Sequence, residues 1–388
     1  MRKSFFALVF LLLIMLAGGC FSDDKELRYW DAPTKGDIDL KVNPLALDTV
    51  SINLDITSGV GSFLIYRDTL VFIDELYSTL YLFDENFNEV DRRFGRGNGP
   101  SEVSGRIVGF AAKGGRLIVL GPSYDYYVLD IGSGEVMQRG LLRFDDESQN
   151  NPNEVMNNPR PEYKEIYEVD YPGLQLQFLN DDEVIFNITT SHPLFNAFSH
   201  REFYESARVL AVLDIVSGRL SEIYGRMSPI YQSWRFLPYL SSVKLGGGDE
   251  NGFFLGFEAD TLVYFFSAPD ELQFAFGNAG RRMKTDYEQV EGTEDYVQYY
   301  KELRPKYGFY TFLKHFPELD LLFRGYRRSE SEEVDGLQIY HGNVLIGDVD
   351  VPKGFSVIGF RNNMFYGEIK SEEGLSSEEM PVLVEFKW

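Results

Sequence analysis

The strongest constraint on this chain is a strand pair that keeps returning. Segments such as "DTLVFIDELYSTLYLFDENFNEVDRRFG", from Asp68, and "GRLIVLGPSYDYYVLDIGSGEVMQRGLL", from Gly115, run turn, apolar strand, polar break, apolar strand, turn. Further copies are "DEVIFNI" with "RVLAVLDIVSGRLSEIYG", from Asp182 and Arg208, and "NGFFLGFEADTLVYFFSAPDELQFAFG", from Asn251. Two weaker copies start at Leu319 and Asn362. The second strand tends to end on Asp, followed by Gly or Asn, as in "LYLFDENFNEV" and "YVLDIGSGEV". Asp hydrogen-bonds the backbone of its own turn and Gly enters the positive-φ region, so this is hairpin chemistry. A short extra strand precedes most units, for example "SFLIY", "IVGFAA" and "LQLQFL", and brings each unit to four strands.

Six four-stranded units in series predict an all-β chain folded as a six-bladed β-propeller. Unit starts at 68, 115, 182, 251, 319 and 362 lie 47, 67, 69, 68 and 43 residues apart. A bare blade takes roughly 40–50 residues, so the wider gaps carry insertions. A seven-bladed ring or a pair of β-sandwiches would use the same strands. "DIDLKV" and "DTVSINL", ahead of the first unit, belong to no blade. One of them is expected to complete the last blade and hide its edge. The 44% hydrophobic fraction, with 24 Tyr and 32 Phe, is ample for the core of such a fold.

The propeller is expected to occupy residues 37–388 as one domain, with insertions near 143–173, 189–207 and 281–308. The first, rich in Asn, Pro and acids, reads as an exposed loop that buries little. The second holds His192 and His200 with Phe195, Phe198, Phe203 and Tyr204, and reads as a lid or a hairpin extension. The third contains the best helix of the chain. Thr293 is placed to cap it, Glu294 and Asp295 suit the dipole of its first turn, and Pro305 stops it.

The first residues, "MRKSFFALVFLLLIMLAGGC", read as a secretory signal over 1–19, too short for a membrane span. Residues 20–36 read as an acidic tether. The cysteine after Ala17-Gly18-Gly19 resembles a bacterial lipobox, and the resemblance implies that Cys20 is acylated and anchors the chain in a membrane. Cys20 is the only cysteine, so no internal disulfide competes for it. The following "FSDDKE" resembles the Bacteroidetes signal for export to the outer face of the outer membrane. Residues 1–19 hold Arg2 and Lys3 and no acid, so the remainder is two charges more negative than the −23 of the whole chain. A surface that acidic disfavours nucleic acid and anionic headgroups, which leaves lipid as the means of membrane attachment.

The stretch "RRFGRGNGPSEV", residues 92–103, looks at first like a phosphate loop. Neither a Walker pattern nor a dinucleotide fingerprint fits, and a strand follows instead of a helix. It reads as the joint between two blades. Lipobox, secretion signal and this Gly-x-Gly-Pro-x-Glu joint together resemble the six-bladed, NHL-like β-propeller lipoproteins of Bacteroidetes. The match is good over the N-terminal third and rests on strand pattern beyond it. The resemblance implies an outer-membrane lipoprotein, periplasmic or surface-exposed, and no particular chemistry.

Signals for catalysis are sparse. The four histidines are scattered, no G-x-S-x-G elbow is present, and no cofactor or metal is expected. The basic islands are the better contact candidates: Arg93 and Arg96 beside the joint, Arg281 and Arg282, and Arg327 and Arg328. Arg suits carboxylate or phosphate ligands, though pairing with neighbouring acids is the plainer use. Tyr296 and Tyr300 on the expected helix would either stack on a glycan or pack the helix down. The function that emerges is a non-catalytic binding or scaffold module for a protein, peptide or glycan partner. The alternative is a carbohydrate-active hydrolase or lyase, which requires ionisable groups facing each other in the propeller funnel.

Overall fold

A computed structural model describes residues 29–41, 44–54, 56–144, 150–233, 236–249, 252–290, 296–371 and 380–387. Six antiparallel sheets follow one another around a ring, so the fold is a six-bladed β-propeller. Blade 1 consists of Gly61–Tyr66, Thr69–Asp74, Thr79–Phe83 and Glu89–Phe94, ordered from axis to rim. Blade 2 runs from Gly109–Lys113 out to Glu135–Leu141, and blade 3 from Leu176–Phe178 to Arg219–Tyr224. Blade 4 runs from Val243–Asp249 to Leu272–Phe276, and blade 5 from Phe309–Phe316 to Val344–Pro352. Blade 6 has Phe355–Arg361, Met364–Ile369 and Val382–Phe386 from the end of the chain; its rim strand is Asp48–Thr49. "DTVSINL" thus closes the ring: Asp48 pairs Glu385, Thr49 pairs Val384, and Val50 N–H donates to the Leu383 carbonyl at 2.9 Å.

Blades pack face to face, which explains the strand patterns. Thr69–Asp74 and Thr79–Phe83 are buried on both faces and read as unbroken apolar runs. The rim strand Glu135–Leu141 alternates between exposed and half-buried positions. The core is therefore a set of seams between blades, such as Leu64, Val71 and Leu82 of blade 1 against Leu117, Val119 and Tyr127 of blade 2. The Asp that ends a middle strand does what its position demands. Asp214 Oδ1 accepts the Val216 and Ser217 amides, both at 2.9 Å.

The N-terminal segment does more than close the ring. Before reaching blade 6 it runs along the rim of two other blades. Trp30 packs on Tyr264 and Phe257 of blade 4, with ring centres 4.5 and 6.0 Å away. Thr34 bridges Ala275 on the blade 4 rim, and Asp37–Ile38 adds a parallel strand to the blade 5 rim. "DIDLKV" is thus a fifth strand on blade 5, and one continuous segment straps three blades together.

The insertions are folded. Residues 143–173 do not behave as a loop that buries little. Helix Pro152–Asn157 starts on an Asn151 side-chain cap, Glu168–Val169 pairs with blade 3, and Val155, Ile166, Tyr167 and Val169 enter the core. A few well-spaced apolar residues outweigh the polar composition. In 189–207 a hairpin, Ser191–His192 with Phe195–Asn196, and helix Arg201–Ser206 bury Phe203 and Tyr204. The third insertion contains helix Tyr296–Leu303; its expected cap, residues 293–295, lies outside the described residues.

At the joint, Gly97 N–H donates to Val103 O and Val103 N–H to Gly95 O, both at 2.9 Å. The Glu102 carboxylate folds back and accepts the Gly99 amide at 2.6 Å. The glycine-rich turn does hold an anion, and that anion is its own glutamate. A Cβ on Gly97 would overlap the Glu102 carboxyl group. Gly97→Ala is expected to push the Glu102 carboxyl off the Gly99 amide and to cost about 1 kcal/mol in urea unfolding, the worth of that hydrogen bond. A chain that starts at Ser51 is expected to exchange the Val382–Phe386 amides about tenfold faster or more, read by hydrogen-exchange mass spectrometry.

Candidate functional site

Side chains that point from the inner strands towards the axis face no other blade. They line a central channel of about 580 Å³. Every blade contributes, including Ser62 and Leu64 from blade 1, Lys113 from blade 2, Gln177 from blade 3, Leu245 from blade 4, Lys314 and His315 from blade 5, and Ile358 from blade 6. The size, and a lining that mixes apolar side chains with many polar ones, suit one small ligand or one inserted side chain.

Ionisable groups concentrate where blades 1, 5 and 6 meet. Glu368 is buried; it pairs with Lys370 at 3.2 Å and accepts the Phe63 amide at 2.8 Å. Lys370 Nζ also donates to Ser62 Oγ at 2.6 Å, and Ser62 Oγ donates to Glu75 Oε1 at 3.2 Å. Burial pushes the Glu75 carboxyl above its usual range, against the pull of Lys370 and the Ser62 hydroxyl, while Glu368 adds to the rise. Lys314 borders the same region, and burial holds its ammonium below the usual lysine range.

A second ionic cluster is structural. Glu258, 1% exposed, meets Lys244 at 3.0 Å and is gripped by both Arg304 nitrogens at 2.7 and 2.9 Å. Burial alone would raise the Glu258 pKa; Arg304 and Lys244 outweigh it and hold the group low. Arg304 lies just past helix Tyr296–Leu303 and also lies 3.9 Å over the Phe309 ring, so the cluster fastens the third insertion to blades 4 and 5.

The residues singled out in sequence lie away from the channel lining. Arg281, Arg282 and Arg328 do converge, and on a protein group: all three meet Asp350, Arg328 at 2.7 Å and Arg282 at 3.2 Å. The Arg328 hydrogen bond is the main cause of the depressed Asp350 pKa. Arg93 bonds Asp91 and reaches the Ile131 carbonyl of blade 2, while Arg96 is exposed and bridges Val103. Arg327 lies near the Phe309 ring, 5.9 Å from its centre. Tyr300 is half-buried under the Arg304 guanidinium at 5.2 Å. The side chain of Tyr296, and all of Cys20, lie outside the described residues. The channel residues Ser62, Glu75, Lys314 and Lys370 escaped sequence reading. One signal was available: a charged residue in the middle of the apolar strand "FYTFLKHF".

No protein-family model matches the chain, and no curated protein sequence matches it. Solved structures do. A member of the DUF4221 family from Bacteroides vulgatus has a TM-score of 0.61 at 12% identity, over 90% of this chain and 98% of its own. BamB from Moraxella catarrhalis has a TM-score of 0.38 at 13% identity, over 90% and 96%. The Cps50 (Swd1) β-propeller domain of Myceliophteria thermophila has a TM-score of 0.42 at 8% identity, over 87% and 99%. At 12% identity the likeness to the DUF4221 protein is one of fold.

Replacing Glu258 with Gln is expected to cost about 3–5 kcal/mol, because it leaves Lys244 and Arg304 partly unpaired in the interior. Since the folded-state pKa of Glu258 is depressed, its contribution is complete above the unfolded pKa and is lost as pH falls through the folded value. Glu75 behaves in the opposite sense. Its raised pKa makes ionisation unfavourable in the fold, so Glu75→Gln is expected to gain in relative stability as pH rises through the carboxyl range towards 7. Urea midpoints of both variants from pH 4 to pH 8 check the two signs.

Proposed function

We propose that this protein is a non-catalytic binding module of the bacterial cell envelope, held to the outer membrane by lipid on Cys20 and belonging with the NHL-like propeller lipoproteins of Bacteroidetes. The carrying observation is the channel: all six blades contribute to one small mixed cavity whose walls are inner strands of packed sheets. Pre-formed walls favour binding because little ordering entropy is lost on capture. The lipobox-like stretch supports the address, and the acidic chain supports lipid as the anchor. The partner class is a protein, peptide or glycan that reaches the channel mouth.

Two measurements test this. Cys20→Ser is expected to abolish labelling by radioactive palmitate and to release the protein from the membrane fraction; unchanged labelling overturns the anchor. The purified chain is expected to retain members of a defined peptide and polysaccharide array without releasing new reducing ends. Turnover of a polysaccharide overturns the non-catalytic reading.

A second reading has one specific support. Glu75 lines the channel with a raised pKa, the property of a proton donor in glycoside cleavage. If the protein is a carbohydrate-active enzyme, Glu75→Gln removes at least about 100-fold of its activity. If it is a binding module, the variant keeps its ligand.

A further inference from the structure

The channel cations are uneven in their commitments. Lys370 is held by Glu368 at 3.2 Å and Ser62 at 2.6 Å. Lys113 donates to the Leu179 carbonyl at 3.1 Å. Lys314 differs: its ammonium makes no hydrogen bond or ion pair with any described residue, and its nearest ring, Phe316, has its centre 6.0 Å away. Across the channel, the Gln177 side-chain amide on blade 3 is likewise unbonded among the described residues. The rest of the lining is mixed: Leu64, Phe178, Leu313 and Ile358 stand beside Ser62, Glu75, Lys113, Gln175, His315 and Lys370.

Lys314 is half-buried in the channel wall, where the charge of Glu368 reaches it without an ion pair and no described group accepts its hydrogens. The neighbouring cations show the usual remedy, which is a carboxylate or a carbonyl. At Lys314 that acceptor is missing, and the space in front of it is the cavity. Among the described lining residues the acid is Glu75, whose carboxyl already accepts Ser62 and lies near Lys370. The channel lining therefore carries more positive than negative groups inside a chain of net charge −23.

We infer that the central channel is a receptor for a small organic carboxylate, whose anionic end is taken by Lys314 and Gln177 and whose apolar body lies along Leu64, Leu313 and Ile358. A lone ammonium with one amide donor suits the single charge of a carboxylate; a phosphate dianion calls for a guanidinium fork or a nest of backbone amides. The cavity of about 580 Å³ admits a ligand of metabolite size and no folded partner. Occupation gives Lys314 an acceptor, and a ligand that binds only the folded chain stabilises it by mass action. This inference rests on the binding-module reading and narrows it.

The test is calorimetric titration of the full chain with hexanoate, phenylacetate and glucuronate, each beside its uncharged counterpart: hexanamide, phenylacetamide and glucose. At least one carboxylate is expected to bind, with its counterpart at least tenfold weaker. Lys314→Met is expected to weaken that carboxylate more than tenfold. Gln177→Leu serves as the independent variant and is expected to weaken binding severalfold. Three results overturn the assignment: no carboxylate binds, the neutral counterparts bind equally well, or Lys314→Met and Gln177→Leu keep full affinity. In any of these cases retention of an array ligand still supports a binding module, and its loss together with turnover removes that reading as well.

Discussion

A ring of sheets is stable only if it closes, and the rest of this structure depends on one short backbone pairing that closes it. Blade 6 receives three strands from the end of the chain and its rim strand, Asp48–Thr49, from the beginning. Without that pairing the last blade would present an open edge. The segment ahead of it reinforces the closure by lying on the rims of blades 5 and 4, with Trp30 set against Tyr264. The strap shares its load among three blades, which suits a segment whose individual pairings are only two residues long.

The arginines make the same point at the level of side chains. Several reach from one blade to a backbone carbonyl of the next. Arg361 of blade 6 donates to Asp68 O at 3.0 Å, and Arg116 of blade 2 to Asp181 O at 2.9 Å. Arg324 of blade 5, fully buried, donates to the Thr261 and Asp260 carbonyls of blade 4, both at 2.6 Å, with its guanidinium 3.2 Å over Tyr310. Turn carbonyls lack strand partners, and a guanidinium supplies several donors in one plane. In a very acidic chain the arginines are largely seam fasteners. The Arg281, Arg282 and Arg328 group, gathered on Asp350, belongs to this pattern more than to an anion site.

The fastening leaves one gap, the central channel. Along the axis the inner strands have no facing blade, and there the side chains are free to be polar. Lys370, Ser62, Glu75 and Glu368 satisfy one another across blades 1 and 6, while Lys314 makes no hydrogen bond or ion pair among the described residues. The contrast is between groups that hold the wall together and a cation that faces the cavity.

Much of the architecture was legible in the sequence, because period-two apolar strands and Asp-Gly turns are local signals with local causes. "DTLVFIDELYSTLYLF" specifies a double-sided buried hairpin by itself, and "FGRGNGPSEV" specifies a tight joint, down to a glutamate that only glycines leave room for. The insertion over 150–173 buries more than its polar composition suggests, because its few apolar residues act only once a neighbouring blade provides a surface. What the tertiary structure alone decided is who meets whom across the ring. Glu368 reaches the Phe63 amide 305 positions away, and Arg281 reaches Asp350 across 69. No local pattern encodes such pairs, since they follow from the closure of the circle. For the same reason the channel, which lies where six distant strands come together, could not be read from any one of them.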